Sequence, residues 1–124
     1  MLTYAEISTL VDRIVERIDP DKVIVFGSYA KGTATAKSDL DLLVIKDTGL
    51  PTRLRSMPLL PIVADVLVHV DVHVYTPEEV KEYGKERYSF LESVLRTGLL
   101  VHSKDGGAFQ PGQPHRAASP GNAV

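Results

Sequence analysis

The chain reads as an α/β domain, in which short apolar strands alternate with amphipathic helices. Three observations carry that reading. Val68 to Tyr75 (VHVDVHVY) alternates without a break, with valines at 68, 70, 72 and 74 on one face and His69, Asp71, His73 and Tyr75 on the other, which is the period of a half-buried strand. Lys22 to Phe26 (KVIVF) and Asp39 to Lys46 (DLDLLVIK) are short apolar runs of strand type bounded by turn residues. Between and around them lie helix-start signatures, Thr3-x-x-Glu6 and Thr76-Pro77-Glu78-Glu79.

Taken in order, the first helix follows Thr3, and Ile7, Leu10, Val11, Ile14, Val15 and Ile18 form one apolar stripe at helical spacing. Asp19-Pro20 ends it. The first strand, Lys22 to Phe26, meets Gly27-Ser28, which turns the chain into a short helix around Tyr29 to Ala34. The second strand runs from Asp39 to Lys46 and stops at Asp47-Thr48-Gly49. Pro51 suits the first turn of another helix, which Pro58 and Pro61 limit or kink. The third strand is the alternating segment from Val68 to Tyr75. Helical sequence then runs from Thr76 to about Thr97, with a break expected at Gly84 and a C-cap at Gly98, before a short last strand over Leu99 to His102. From Asp105 onward, four glycines and three prolines in twenty residues with one aromatic cannot build a packed core. The expected organisation is one folded domain over 1–104 and a disordered tail over 105–124.

Bulk composition narrows the function classes. With 124 residues, 44% of them hydrophobic and 24% charged, the chain has enough apolar sequence for one core. Fourteen Lys and Arg against sixteen Asp and Glu leave a net charge of −2, whereas a nucleic-acid binder carries a basic surplus. No direct nucleic-acid binding is expected. The absence of cysteine excludes disulfides and thiolate metal sites. The apolar stretch from Leu59 to Val74 is broken by Pro61, Asp65, His69, Asp71 and His73, so it does not read as a membrane span. No secretory leader is recognisable, and the expected location is cytoplasmic.

The chemistry concentrates between Gly27 and Asp41. Ten residues separate Ser28 from an Asp-x-Asp pair that opens the second strand. Side chains alternate along a strand, so Asp39 and Asp41 share a face with Cα atoms about 6–7 Å apart. Carboxylates that close repel and raise one another's pKa unless a cation lies between them. Oxygen-only ligation of this kind suits Mg²⁺, which takes one or two carboxylates together with substrate phosphates. A Gly-Ser turn at a helix start can hold those phosphates on backbone N–H groups, with the Ser28 hydroxyl adding a donor and Lys31 a neutralising charge. Asp71, on the face opposite the valines, is the candidate third carboxylate. Asp65 has the same parity but lies near Pro61, before the alternation becomes regular, and reads as a helix-end or loop residue. His69 and His73 flank Asp71 and read either as the wetter face of a half-buried strand or as metal or phosphate contacts. Tyr83, Tyr88 and Phe90 read as core or interface residues. Lys81, Lys85 and Arg87 among Glu78, Glu79, Glu82 and Glu86 read as a solvated helix face.

Gly-Ser, ten residues, Asp-x-Asp, and a later strand Asp followed by Thr-Pro-Glu-Glu together resemble the minimal nucleotidyltransferases of the DNA polymerase β superfamily, over about residues 5 to 102. The resemblance implies a small mixed β-sheet flanked by α-helices, with Mg²⁺ and a nucleoside triphosphate bound. It carries Gly27 and Ser28 onto the phosphate-binding turn, Asp39 and Asp41 onto the paired metal ligands, and Asp71 onto the third carboxylate. Many relatives have an arginine at the place of Lys31, and His69 and His73 are outside the family pattern. Stand-alone chains of this size resemble antitoxins paired with a helical HEPN-type toxin, an RNase, and the resemblance implies transfer of AMP from ATP to a toxin tyrosine. A macromolecular partner would then supply the acceptor surface, in a hetero- or homo-oligomer. The alternatives are a binding module that neutralises its partner by occlusion, and an aminoglycoside-type enzyme acting on a small molecule.

Overall fold

In a computed structural model, residues 1–86 and 89–105 and the backbone of 115–116 are described. Helix α1 (Tyr4–Ile18) leads into β1 (Lys22–Phe26), the one-turn helix α2 (Ser28–Lys31) and β2 (Leu40–Ile45). Two 3-10 turns, Thr52–Leu54 and Met57–Leu59, precede α3 (Leu60–Ala64) and β3 (Val70–Tyr75). Helices α4 (Pro77–Tyr83) and α5 (Phe90–Thr97) follow, then β4 (Leu99–Ser103) and a two-residue β5 (His115–Arg116). The strands form one sheet in the order β3-β2-β1-β4-β5. It is mixed: β2 and β3 run parallel, while β1 is antiparallel to both β2 and β4. The expected tail over 105–124 falls outside the described residues, apart from Asp105 and the β5 backbone, which pairs with Leu99 and Leu100.

The alternation within each strand sorts side chains into two cores, one on each face of the sheet. On one face Val23, Val25, Leu40, Leu42, Val44, Val70, Val74 and Val101 pack against Ile7, Leu10, Val11 and Ile14 of α1 and against Leu59 and Ile62. On the other, Ile24, Leu43, Ile45 and Leu100 pack against Val80 of α4 and Leu91 and Val94 of α5. Each buried aliphatic side chain contributes about 1.5–3 kcal/mol of burial free energy, so the two clusters dominate stability. Gly98 lets α5 sit close on β1: a Cβ there would lie 2.6 Å from Ile24 Cγ2 and 3.1 Å from the Val25 carbonyl oxygen.

Both expected capping boxes form. Thr3 Oγ1 accepts from Glu6 N–H while Glu6 Oε1 accepts from Thr3 N–H, and Thr76 and Glu79 do the same at α4. Asp19 ends α1 in the left-handed region (φ 48°), a conformation Asp tolerates better than most residues.

Other expectations shift. The second and third strands start at Leu40 and Val70, so Asp39 and His69 stand just before them, and the last strand extends to Ser103. The helix expected after Pro51 is two 3-10 turns before the five-residue α3, because Pro58 and Pro61 have no N–H to donate to an α-helical ladder. The break expected at Gly84 is found, where Gly84 caps α4.

Glu79 is also more than a surface charge. Its Oε1 accepts from Arg55 Nη1 at 2.7 Å, and the Arg55 side chain is only 10% exposed. Arg55 Nε also donates to the Leu50 carbonyl at 3.0 Å, so this guanidinium ties the segment after β2 to the start of α4. The Arg55 hydrogen bond and the Thr76 cap hold the Glu79 carboxyl below its ordinary pKa. A depressed carboxylate pKa gives stability that is present above the unfolded-state value and lost as pH falls through the folded one. Arg55→Met should therefore lower unfolding free energy by about 1–3 kcal/mol and Thr76→Ala by about 1 kcal/mol. Because both act on Glu79 their effects should not add, as urea midpoints of the single and double variants would register.

Candidate active site

β2 places Leu40, Leu42 and Val44 in the α1-side core, which forces Asp41 to the opposite face. The parallel register sets Asp41 directly across from Asp71, and the antiparallel register sets it across from Phe26. Asp39 precedes β2 by one residue and has the same parity. Helices α4 and α5 cover Ile24, Leu43 and Ile45, further along the same face. The end carrying the carboxylates stays accessible, with Asp41 half-buried and Asp39 and Asp71 exposed.

The turn after β1 closes on this group. Gly27 has φ 73° and ψ −148°, a region essentially reserved for glycine. A Cβ at Gly27 would collide with the Asp41 carboxylate oxygen and lie 3.3 Å from its Cγ. The Gly27 backbone and the Asp41 carboxylate are thus in direct apposition. Ser28 opens α2, where the first N–H groups of a helix lack intrahelical acceptors, and Lys31 is an exposed residue at its end. Gly27, Asp41 and Asp71 are brought together, with Asp39 one residue before β2, Ser28 next to Gly27 in the chain and Lys31 exposed at the end of α2.

Electrostatics reflects this crowding. Burial first, then the negative charges of Asp71 and Asp39, push the Asp41 carboxyl above its ordinary pKa, and His73 and His69 offset part of the rise. Each outer carboxylate has an imidazole beside it: His69 Nδ1 is 3.3 Å from Asp39 Oδ2, and His73 Nε2 is 3.3 Å from Asp71 Oδ2. Among the described residues, no three His, Asp or Glu side chains converge closely enough to hold a metal ion as they stand. The donor set still fits a hard divalent cation, because it is all carboxylate on its inner side and carries a repulsion at Asp41 that a cation would relieve.

The residue pattern did not indicate the ring cluster beside the carboxylates or the ion-pair partner of Asp65, although it did read Asp65 as a helix-end residue, as found. Phe26, His73, Tyr75 and Phe90 form a ring cluster beside the carboxylates, with Phe26 and Phe90 meeting edge to face at 5.3 Å. The only signal for it was that His73 and Tyr75 share the face of Asp71. Asp65, the competitor for the third-carboxylate place, ends α3 and pairs with Arg13 of α1 at 3.0 Å, on the α1 side.

The family of the nucleotidyltransferase domain matches residues 7–103. Among solved structures, a proposed nucleotidyltransferase from Sulfolobus solfataricus is similar in fold, with a TM-score of 0.63 and 17% identity over 87% of this chain and 86% of that one. A toxin–antitoxin structure determined with AMP-PNP is similar with a TM-score of 0.58 and 17% identity over 77% of this chain and 73% of that one. No curated protein matches the chain significantly.

Two outcomes follow for the site. Gly27→Ala should cost about 1–3 kcal/mol through the strained backbone and displacement of Asp41, measurable by urea unfolding. Asp41→Asn should raise the melting temperature at neutral pH. A raised carboxyl pKa means that ionisation destabilises the fold, so the native protein's deficit should open as pH rises through the folded-state pKa and vanish in acid. Melting curves of both proteins across pH check the sign.

Proposed function

This chain belongs to the nucleotidyltransferase domain family, and on that premise we propose that it transfers AMP from ATP to a hydroxyl of a partner protein, a tyrosine of a HEPN-type toxin, and so acts as an antitoxin. The observation that carries the reading is the apposition of Gly27 and Asp41, with Asp71 across the strand pair and Asp39 one step away. A turn that binds phosphate and carboxylates that bind its metal serve one substrate only if they are adjacent, and the closeness of Gly27 to Asp41 supports that reading. The fold likeness to a toxin–antitoxin structure holding AMP-PNP supports both the adenine nucleotide and the kind of partner.

In this reading the N–H groups at the start of α2 and the Ser28 hydroxyl bind the triphosphate, and Lys31 neutralises one of its charges. Asp39, Asp41 and Asp71 hold Mg²⁺, which when bound stabilises phosphoryl charge and lowers the pKa of the acceptor hydroxyl. The acceptor oxygen forms its bond to the α-phosphorus as the bond to pyrophosphate breaks. The chain contributes position and electrostatics rather than a covalent intermediate.

One observation favours a second reading, neutralisation of the partner by occlusion alone: the three carboxylates do not converge on a metal as they stand. Intact-mass spectrometry of the protein encoded beside this one, after incubation with ATP, Mg²⁺ and this chain, separates the two. The expected result is a gain of one or more AMP units, with the rate falling by on the order of 100-fold or more in Asp39→Asn and Asp41→Asn. An unmodified partner bound equally well by native and variant chains would replace transfer with occlusion.

A further inference from the structure

His73 lies two residues beyond Asp71 on β3, so both side chains leave the same face of the sheet. Its Nε2 is 3.3 Å from Asp71 Oδ2. Its ring is also packed, 5.7 Å from the Phe26 ring and 5.1 Å from the Phe90 ring. Phe26 is partly buried against the core and pairs across the strands with Asp41, while Phe90, the first residue of α5, is 42% exposed and meets Phe26 edge to face. The contrast with His69 is informative. Both imidazoles sit 3.3 Å from a carboxylate, but the His69 side chain is 71% exposed and that of His73 only 36%. No aromatic ring holds His69 among the described residues, whereas two hold His73.

We infer that His73 is a positioning residue that fixes Asp71: the packed imidazole donates Nε2–H to one carboxylate oxygen and leaves the other oxygen for a divalent cation. The inference rests on the reading, made above, that Asp71 is a metal ligand. An ionised carboxylate only accepts hydrogen bonds, so the contact requires the tautomer protonated at Nε2. Asp71 is otherwise exposed, free to rotate about two torsions, and its ordering would have to come out of the binding energy of each metal–nucleotide complex. A ring packed against both Phe26 and Phe90 supplies that order in advance. Outer partners of this kind change metal affinity by about 10–100-fold when removed. The arrangement also links α5 to the site, because Phe90 holds the ring that holds Asp71.

The test is Mn²⁺ binding followed by electron paramagnetic resonance with AMP-PNP present, a readout independent of turnover. His73→Phe keeps a ring in the cluster and removes the donor. It should weaken Mn²⁺ binding by about 10–100-fold while leaving the metal-free melting temperature near the native value. His73→Gln, which can still donate, should bind more tightly than His73→Leu, and that pair gives the same comparison without a third phenyl ring. His69→Phe should have a smaller effect than His73→Phe. If Asp71→Asn weakens Mn²⁺ binding and His73→Phe does not, the positioning role is overturned and the ligand role of Asp71 stands. If Asp71→Asn binds as the native chain does, or the native chain binds no Mn²⁺, the ligand role fails and the positioning role with it.

Discussion

The register of β2 is the constraint on which the rest depends. This central strand pairs with β1 on one side and β3 on the other, and its Leu40, Leu42 and Val44 are locked into the core under α1. A slip of one residue would drive Asp41 into that core and turn the leucines outward, so the hydrophobic effect fixes which way the carboxylate points. The same register brings Asp71 and Phe26 beside Asp41. Burial of aliphatic side chains on one face thus assembles charge on the other. The raised pKa of Asp41 is the trace of that assembly: the carboxylate is held by its strand in a place it would not choose by itself.

The second helical layer decides how much of that face is left open. Helices α4 and α5 cover Ile24, Leu43, Ile45 and Leu100, and Phe90 at the start of α5 joins the ring cluster with Phe26 and His73. Arg55 and the Thr76–Glu79 capping box fix where α4 begins. Gly98 lets α5 press onto β1. At the end of the face left open, Gly27 lies against Asp41, with Asp71 across the strand pair and Asp39 one residue before β2. The chain belongs to the nucleotidyltransferase domain family, and the two solved structures share its fold.

Much of this was legible in the sequence, and the reasons are physical. The alternation of VHVDVHVY and the stripe of α1 report burial on one face, the strongest local signal a chain carries. Capping boxes are local hydrogen bonds, so Thr3–Glu6 and Thr76–Glu79 could be read directly. The grouping of Gly27, Ser28, Asp39, Asp41 and Asp71 followed from order and parity. What escaped depends on contacts distant in sequence. Nothing near Arg55 indicates that it reaches Glu79, 24 residues on. Phe90 looked like a generic apolar residue because its partners Phe26 and His73 lie on other elements. The helix after Pro51 became 3-10 turns through the placement of prolines, a matter of boundaries.

The central claim is that one metal–nucleotide complex is held jointly by the Gly27–Ser28 turn and the three aspartates. The most direct measurement is a crystal structure of the chain grown with AMP-PNP and Mn²⁺, with the metal located by its anomalous scattering. The account predicts an anomalous peak among Asp39, Asp41 and Asp71, the carboxylates drawn together around it, and the triphosphate lying on the Gly27–Ser28 turn. Nucleotide bound elsewhere, or a triphosphate on the turn with no metal among the aspartates, would contradict it.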